Sequence, residues 1–394
     1  MSERPAGAAP GALPREPRLD ALRGLAIAAV LVLHFTLAFG LARSPLGVWL
    51  GRPLLAVLTL RGNYGVTLFF AISGFLITDH VLRRDGALQQ LDWRRFAVER
   101  VSRLLPLLVL ALLCVLVPGL LGWPFFAGDT HAPPMTAGRW AIALLSVLGF
   151  WHNQLMQDWG YFHYILNVYW SLSVEEVFYL GFAVLCLALG RGERVMMVAV
   201  ALVLLGPLYR VVHPDDEIRY LYAYPACFDA IAWGVLAAWV AHRHPAAPAR
   251  AAGARALGLA GIAAAWSVDF GAHPAWSFSA LAAATALWLW ALAGSRPCHP
   301  AWARLLAPWA WLGRHSYELY LFHIIVLALL RQVWSRQTLP DAGRLPLLAA
   351  YLALSAVVAW AVARGVGDPA RRAWRRRWGR GEGRAGERVT IAPP

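Results

Sequence analysis

RLDALRGLAIAAVLVLHF, residues Arg18 to Phe35, puts three charges (Arg18, Asp20 and Arg23) ahead of an apolar run that ends beside a histidine, His34. Apolar runs about 20 residues long recur along the chain, and that is the length a helix needs to cross a bilayer. The 394 residues are 59% hydrophobic and only 15% charged, with a mean hydropathy of +0.52. Soluble domains are about 45–50% apolar. The expected fold is therefore all-α: a polytopic membrane protein with its helices in one bundle.

Ten spans are expected, over residues 19–40, 63–82, 97–120, 170–190, 194–212, 221–241, 254–270, 276–294, 312–334 and 346–366. Trp140–Trp151 is too short to cross and reads as interfacial or re-entrant. The net charge is +14, and every basic residue is an arginine. These arginines sit in alternate loops and at the C-terminal end, for example Arg83, Arg84, Arg94, Arg95, Arg191, Arg194, Arg371 and Arg372. That pattern follows the positive-inside rule and predicts ten spans with both termini cytoplasmic. The charge is thus read as topology and contact with membrane lipids, not as nucleic-acid binding. Arg43, Arg52, Arg61, Arg139, Arg336 and Arg344 fall on the wrong side for this rule. Residues 1–17 read as a disordered cytoplasmic leader, 18–367 as the transmembrane domain and 368–394 as a basic cytoplasmic tail. The four cysteines, Cys114, Cys186, Cys227 and Cys298, form no C-x-x-C pair, so no metal site is expected.

Titratable groups within spans mark functional paths by default, because burying them in a bilayer is costly. His34 follows Arg23 by 11 residues, about three turns and roughly 16 Å of helix, so the two share a face. Arg100 and Arg103 are three apart and share a face too. Two guanidiniums together suit a phosphate or pyrophosphate, although snorkelling to lipid phosphates explains them equally well. Ser73 and Gly74 suggest a close backbone approach, to a helix or to a ligand. Glu175, early in the span opened by WSLSVEEVFYL, needs a partner; His34, at a similar expected depth, is the candidate. Asp229, His323 and Glu318 are further polar groups inside spans. The long segment from about Leu121 to Tyr169 is rich in aromatic residues and histidines, among them Trp123, Trp151, His152, Trp159, Tyr161, His163 and Tyr164. It reads as an interfacial belt or as a stacking platform over a cavity.

Six blocks in order give the sequence a family resemblance: RLDALRGLAI with His34, GVTLFFAISGFLIT, RRFAVERVSRLLP, WSLSVEEVFYL, FDAIAWGVL and LGRHSYELYLFH. Together they resemble the acyltransferase-3 family of membrane-bound O-acyltransferases. The resemblance implies an enzyme of the bacterial inner membrane. It implies a cytoplasmic acyl-CoA donor, with acetyl-CoA the expected form, and an acceptor hydroxyl on an extracytoplasmic carbohydrate or glycolipid. It implies that His34 is the essential histidine, that Glu175 is the carboxylate of its block, and that Arg23, Arg100 and Arg103 hold the donor; Ser73 is taken as a further donor contact. Many relatives carry an arginine before the sixth-span aspartate. Here that place is Phe228, which leaves the part played by Asp229 open. The chain is expected to be the stand-alone form, without an appended periplasmic hydrolase-like domain.

A neutral imidazole at His34 suits the removal of a proton from an attacking hydroxyl. Ser73, Tyr64, Tyr179 or a backbone N–H are the candidate oxyanion donors. A transporter of a glycan or small acylated metabolite on the same scaffold is the alternative. It has less support, because broken spans do not recur in corresponding halves.

Overall fold

The computed structural model describes residues 16–128 and 132–378. The leader expected over 1–17 and the distal part of the tail lie outside them, apart from residues 16 and 17 and 368–378. Seventeen α-helices follow in order: α1 Pro17–Phe39, α2 Pro45–Thr59, α3 Asn63–Asp85, α4 Trp93–Leu120, α5 Ala137–Leu148, α6 His152–Trp159, α7 Trp170–Leu189, α8 Gly192–Val211, α9 Glu217–Tyr222, α10 Tyr224–Arg243, α11 Pro248–Ser267, α12 Pro274–Ala293, α13 Pro300–Leu305, α14 Ala307–Arg314, α15 Ser316–Val333, α16 Arg344–Val362 and α17 Asp368–Trp378. Among the described residues, nine helical stretches are long and apolar enough to cross a membrane. They account for nine of the ten expected spans.

The tenth, α11, is diluted by alanine and glycine and by Arg250 and Arg255, yet it traverses the bundle. At its start Arg255 reaches Ser295 beyond the end of α12, and Trp290 donates to His244 at 2.9 Å. At its end Arg61 donates to the Trp266 carbonyl at 2.9 Å, and the Tyr64 hydroxyl to that of Val268 at 3.2 Å. Twenty residues at 1.5 Å each give about 30 Å, enough to span. The expected short element, α5, is 12 residues long and does not cross.

α1 starts with Pro17 at its first turn, where a missing N–H costs nothing, and with Glu16 accepting from the Arg18 backbone N–H at 3.1 Å. It stops at Gly40, whose φ of +71° a side-chain-bearing residue seldom adopts. The carbonyls orphaned at this end are capped from outside the helix. Arg344 donates to those of Phe39 and Gly40 at 2.6 and 2.8 Å, and Arg336 to that of Thr36 at 3.4 Å. Three of the arginines that broke the charge rule, Arg61, Arg336 and Arg344, are therefore helix C-caps.

Lipid tails are as apolar as leucine, so the helices associate by close packing and not by excluding water. A Cβ on Gly74 would overlap the Ile231 carbonyl, and one on Gly234 the Ala71 carbonyl, so α3 and α10 meet backbone to backbone. The close approach suggested at Gly74 is thus to a helix. A charged pair is buried deep in the bundle. Arg210 of α8 is 1% exposed and grips both oxygens of Asp229 at 2.8 Å; Ser279 donates to the same carboxylate at 2.5 Å, and Arg210 to the Ala226 carbonyl at 2.5 Å. Asp229 has a structural partner after all, supplied by another helix and not by the preceding residue. The outer faces carry exposed apolar side chains such as Leu180, Val184 and Leu187 on α7 and Leu204 and Leu208 on α8, which suit contact with lipid tails.

α1 begins where α15 begins, since Arg23 donates to Ser316 Oγ at 2.9 Å. α16 begins at the other end of the bundle, under Phe39, and runs back toward the first. There Arg371 of α17 approaches Glu318 at 3.9 Å. The described chain therefore enters and leaves at the same end.

Candidate functional site

Two cavities lie along α1. The first, of about 130 Å³, surrounds the arginine end. α1 contributes Arg23; α3 contributes Ser73; α4 contributes Arg100 and Arg103; α7 contributes Glu175, Glu176 and Tyr179; α15 contributes Ser316, Tyr317 and Tyr320. The i, i+3 spacing on α4 and the i, i+4 spacing on α7 put each set on one helical face. Glu175 Oε1 accepts from the Ser73 hydroxyl at 2.5 Å and also from the Tyr179 hydroxyl. The Arg100 guanidinium lies 3.6 Å from the centre of the Tyr179 ring, a cation–π contact that holds it against α7. All four residues expected around the donor (Arg23, Arg100, Arg103 and Ser73) therefore meet at one cavity, and Glu175, expected as a catalytic partner of His34, lies there with them. It combines three guanidiniums, which match an anionic ligand, with hydroxyls and apolar walls.

The second cavity, of about 520 Å³, surrounds the histidine end. His34 lines it with Asn63 of α3, Tyr161, Tyr164, Asn167 and Trp170 from the segment before and into α7, Glu217 and Tyr222 of α9, Phe270 after α11, and Ile324 of α15. Aromatic faces with amide and carboxylate groups between them suit a sugar, whose C–H faces stack and whose hydroxyls bond. Val66 and Tyr320 line both cavities and form the partition between them. Tyr320 is held in place: its hydroxyl donates to the Val168 carbonyl and accepts from Ser171 at 2.6 Å.

The expected partnership of Glu175 with His34 is not made. Glu175 lies in the arginine cavity, bound by two hydroxyls on its own side of the partition. A carboxylate so engaged needs no imidazole. The hydroxyls of Ser73 and Tyr179 bond Glu175, that of Tyr64 bonds the Val268 carbonyl, and none of the three lines the cavity that holds His34. The partner of His34 is His323. Its Nε2 lies 3.3 Å from His34 Nδ1, with the rings edge to face at 4.9 Å. The sequence offered His323 only as one polar group in a span; Tyr320, three residues earlier, shares its face and was not singled out.

The aromatic segment before α7 divides in two. Tyr161 and Tyr164 belong to the cavity wall, whereas Trp123 and Trp151 are exposed. Two fully buried histidines fasten the wall. His163 Nε2–H donates to the Phe126 carbonyl at 3.0 Å, while its Nδ1 accepts from the N–H groups of Ile165 and Leu166, each at 3.2 Å. His152 Nδ1 bonds Ser146 Oγ at 2.7 Å, and burial holds its pKa down at about 3, so the ring stays neutral.

Comparison with known proteins places the chain in a family. O-acetyltransferase OatA of Staphylococcus aureus (strain NCTC 8325) is 25% identical over 348 residues, which is 82% of this chain and 52% of that protein. Peptidoglycan O-acetyltransferase OatA of Listeria monocytogenes serovar 1/2a is 29% identical over 168 residues, 42% of this chain and 23% of that protein. The chain thus spans about half the length of the Staphylococcus aureus protein. No solved structure matches it. The family described as an acyltransferase domain matches residues 16–364, nearly all of the described bundle, and the chain belongs to that family of multi-pass membrane proteins.

Proposed function

We infer that the protein transfers an acetyl group from cytoplasmic acetyl-CoA to a hydroxyl of a cell-wall glycan on the outer face of a bacterial inner membrane. The observation that carries this reading is that Arg23 and His34 lie on one helix and line two neighbouring cavities that share Val66 and Tyr320 in their walls. Two relatives named as O-acetyltransferases, one of them a peptidoglycan O-acetyltransferase, support the choice of an acetyl group and of a glycan.

The donor's phosphates bind Arg100 and Arg103, with Arg23 farther in, and its acylated arm lies along α1 toward the partition. The sugar stacks against Tyr161, Tyr164 or Trp170. The His34 imidazole takes the proton of the attacking hydroxyl. The new C–O bond forms as the C–S bond breaks, and the proton passes to the departing thiolate. General-base catalysis of this kind contributes about 10²–10⁴-fold. The test is purified protein in nanodiscs with radiolabelled acetyl-CoA and soluble glycan fragments. Transfer that His34→Ala lowers by about 10²-fold or more, with folding unchanged, is the expected result. Undiminished transfer by that variant removes His34 from the mechanism; acceptor movement without acetylation replaces the enzyme with a transporter.

A further inference from the structure

The hydrogen bonds of the two facing histidines determine where their protons lie. His323 is fully buried, and its Nδ1 lies 3.0 and 2.8 Å from the carbonyl oxygens of Leu319 and Tyr320. A carbonyl can only accept, so this nitrogen carries the hydrogen. In the neutral ring Nε2 is then bare and presents its lone pair to its neighbour. That neighbour is His34 Nδ1, which also lies 2.8 Å from the Val30 carbonyl and so carries its own hydrogen. His34 Nδ1–H therefore faces two acceptors, Val30 O and His323 Nε2, and its Nε2 is left with a free lone pair. His34 keeps partial exposure, to the histidine cavity; His323 has none.

We propose that His323 is a positioning residue for His34: its Nε2 lone pair holds the His34 ring with Nδ1–H inward and makes Nε2 the nitrogen that receives the acceptor's proton. This rests on the acetyl-transfer reading above. When His34 takes up that proton it becomes an imidazolium, and its inward N–H becomes a stronger donor to the same two acceptors. A neutral imidazole here occupies the place that a carboxylate takes in a catalytic triad. The choice suits the site, since a carboxylate without its own cation is costly at this depth. The placement has a cause in the helix. His323 bonds back to carbonyls three and four residues earlier, one of them Tyr320, so the partition residue and the positioning residue form a single unit on α15.

The test has two parts. Nitrogen-15 NMR of histidine-labelled protein in nanodiscs, with His34→Gln and His323→Gln spectra used for assignment, reports which ring nitrogens carry hydrogen. Hydrogen on Nδ1 of both rings is expected; hydrogen on Nε2 of either ring overturns the proposal, whatever the protein's activity. In steady-state kinetics, His323→Leu removes the acceptor and is expected to lower kcat by about 10–100-fold with the acetyl-CoA KM within about twofold of wild type. His323→Gln restores an acceptor oxygen and is expected to recover most of that loss. A His323→Leu variant with wild-type kcat, or equal losses in both variants, overturns the proposal. If wild-type protein transfers no acetyl group, the functional reading fails, while the NMR result still decides the proton arrangement.

Discussion

At the scale of the residue, the proposed function assigns donor binding to the arginine cavity and chemistry to the histidine cavity, and this can be measured. Arg100 lies over Tyr179 and faces the space that the donor's phosphates would fill. Charge-assisted hydrogen bonds contribute about 1.5–3 kcal/mol. Arg100→Gln should therefore raise the acetyl-CoA KM about tenfold and leave the glycan KM alone; the opposite pattern would move the donor to the other cavity. His152 offers a second test, of stability. Its ordinary pKa is about 6.5 in the unfolded chain, and burial lowers it to about 3 in the folded one. Between those values the unfolded state binds a proton that the folded state does not. The contribution is thus complete above pH 6.5 and is lost as pH falls from there toward 3. From pH 7.5 to 5 the loss is on the order of 2 kcal/mol. The fall in Tm over that range should be smaller in His152→Gln than in wild type, and an equal fall would mean that His152 does not titrate. The spacing of 11 residues made Arg23 and His34 legible in the sequence, because helical geometry alone fixes a shared face. The partner of His34 was not legible: it depends on where α15 sits against α1, and no local pattern encodes that. Glu175 was the nearest carboxylate by sequence depth, but two hydroxyls on its own side of the partition already bind it.

At the scale of the element, what holds the helices in register is polar contact and close approach. The Arg210–Asp229 pair joins α8 to α10, with Ser279 of α12 completing the shell. Removing one member leaves an uncompensated buried charge, which costs about 3–5 kcal/mol. Arg210→Leu should therefore unfold at a markedly lower temperature than wild type, and Arg210→Leu with Asp229→Leu should regain part of the difference. If the double variant is no better than the single one, the pair is not the source of the loss. Gly74→Leu tests the α3–α10 contact in the same assay. Its side chain has no room against Ile231, so α3 must move, and Ser73 with it. The sequence showed the small residue and left its partner undecided between helix and ligand. It also showed Arg61, Arg336 and Arg344 as exceptions to a charge rule. Their reason is local, since orphan carbonyls at the ends of α11 and α1 need donors, and those ends are known only once the helices are placed.

At the scale of the whole molecule, the number of crossings decides which side each cavity faces. A count by apolar length stops at nine helical stretches among the described residues, and an odd number would put the two ends on opposite sides of the membrane. The contacts at both ends of α11 show that it runs from one end of the bundle to the other, and its crossing would make the number ten. The sequence reached the same number through its arginine loops, a signal independent of hydropathy. α11 has few large apolar residues because it packs in the membrane through glycine and alanine: Gly258 lies against Trp288, and Gly261 against Ala284. The prediction is a labelling pattern. In a Cys298→Ser background, a membrane-impermeant maleimide should label Gln337→Cys and Ala272→Cys in intact cells, and Gln89→Cys only after lysis. All three positions are exposed or lie in exposed loops, the first two at the histidine end and the last at the arginine end. The positive-inside rule gives the direction, because Arg83, Arg84, Arg94 and Arg95 flank Gln89. Labelling of Ala272→Cys only after lysis would mean that α11 does not cross. Labelling of Gln89→Cys in intact cells would invert the molecule and put its arginine cavity outside, where cytoplasmic acetyl-CoA could not enter it, and the transfer mechanism would fall with the topology.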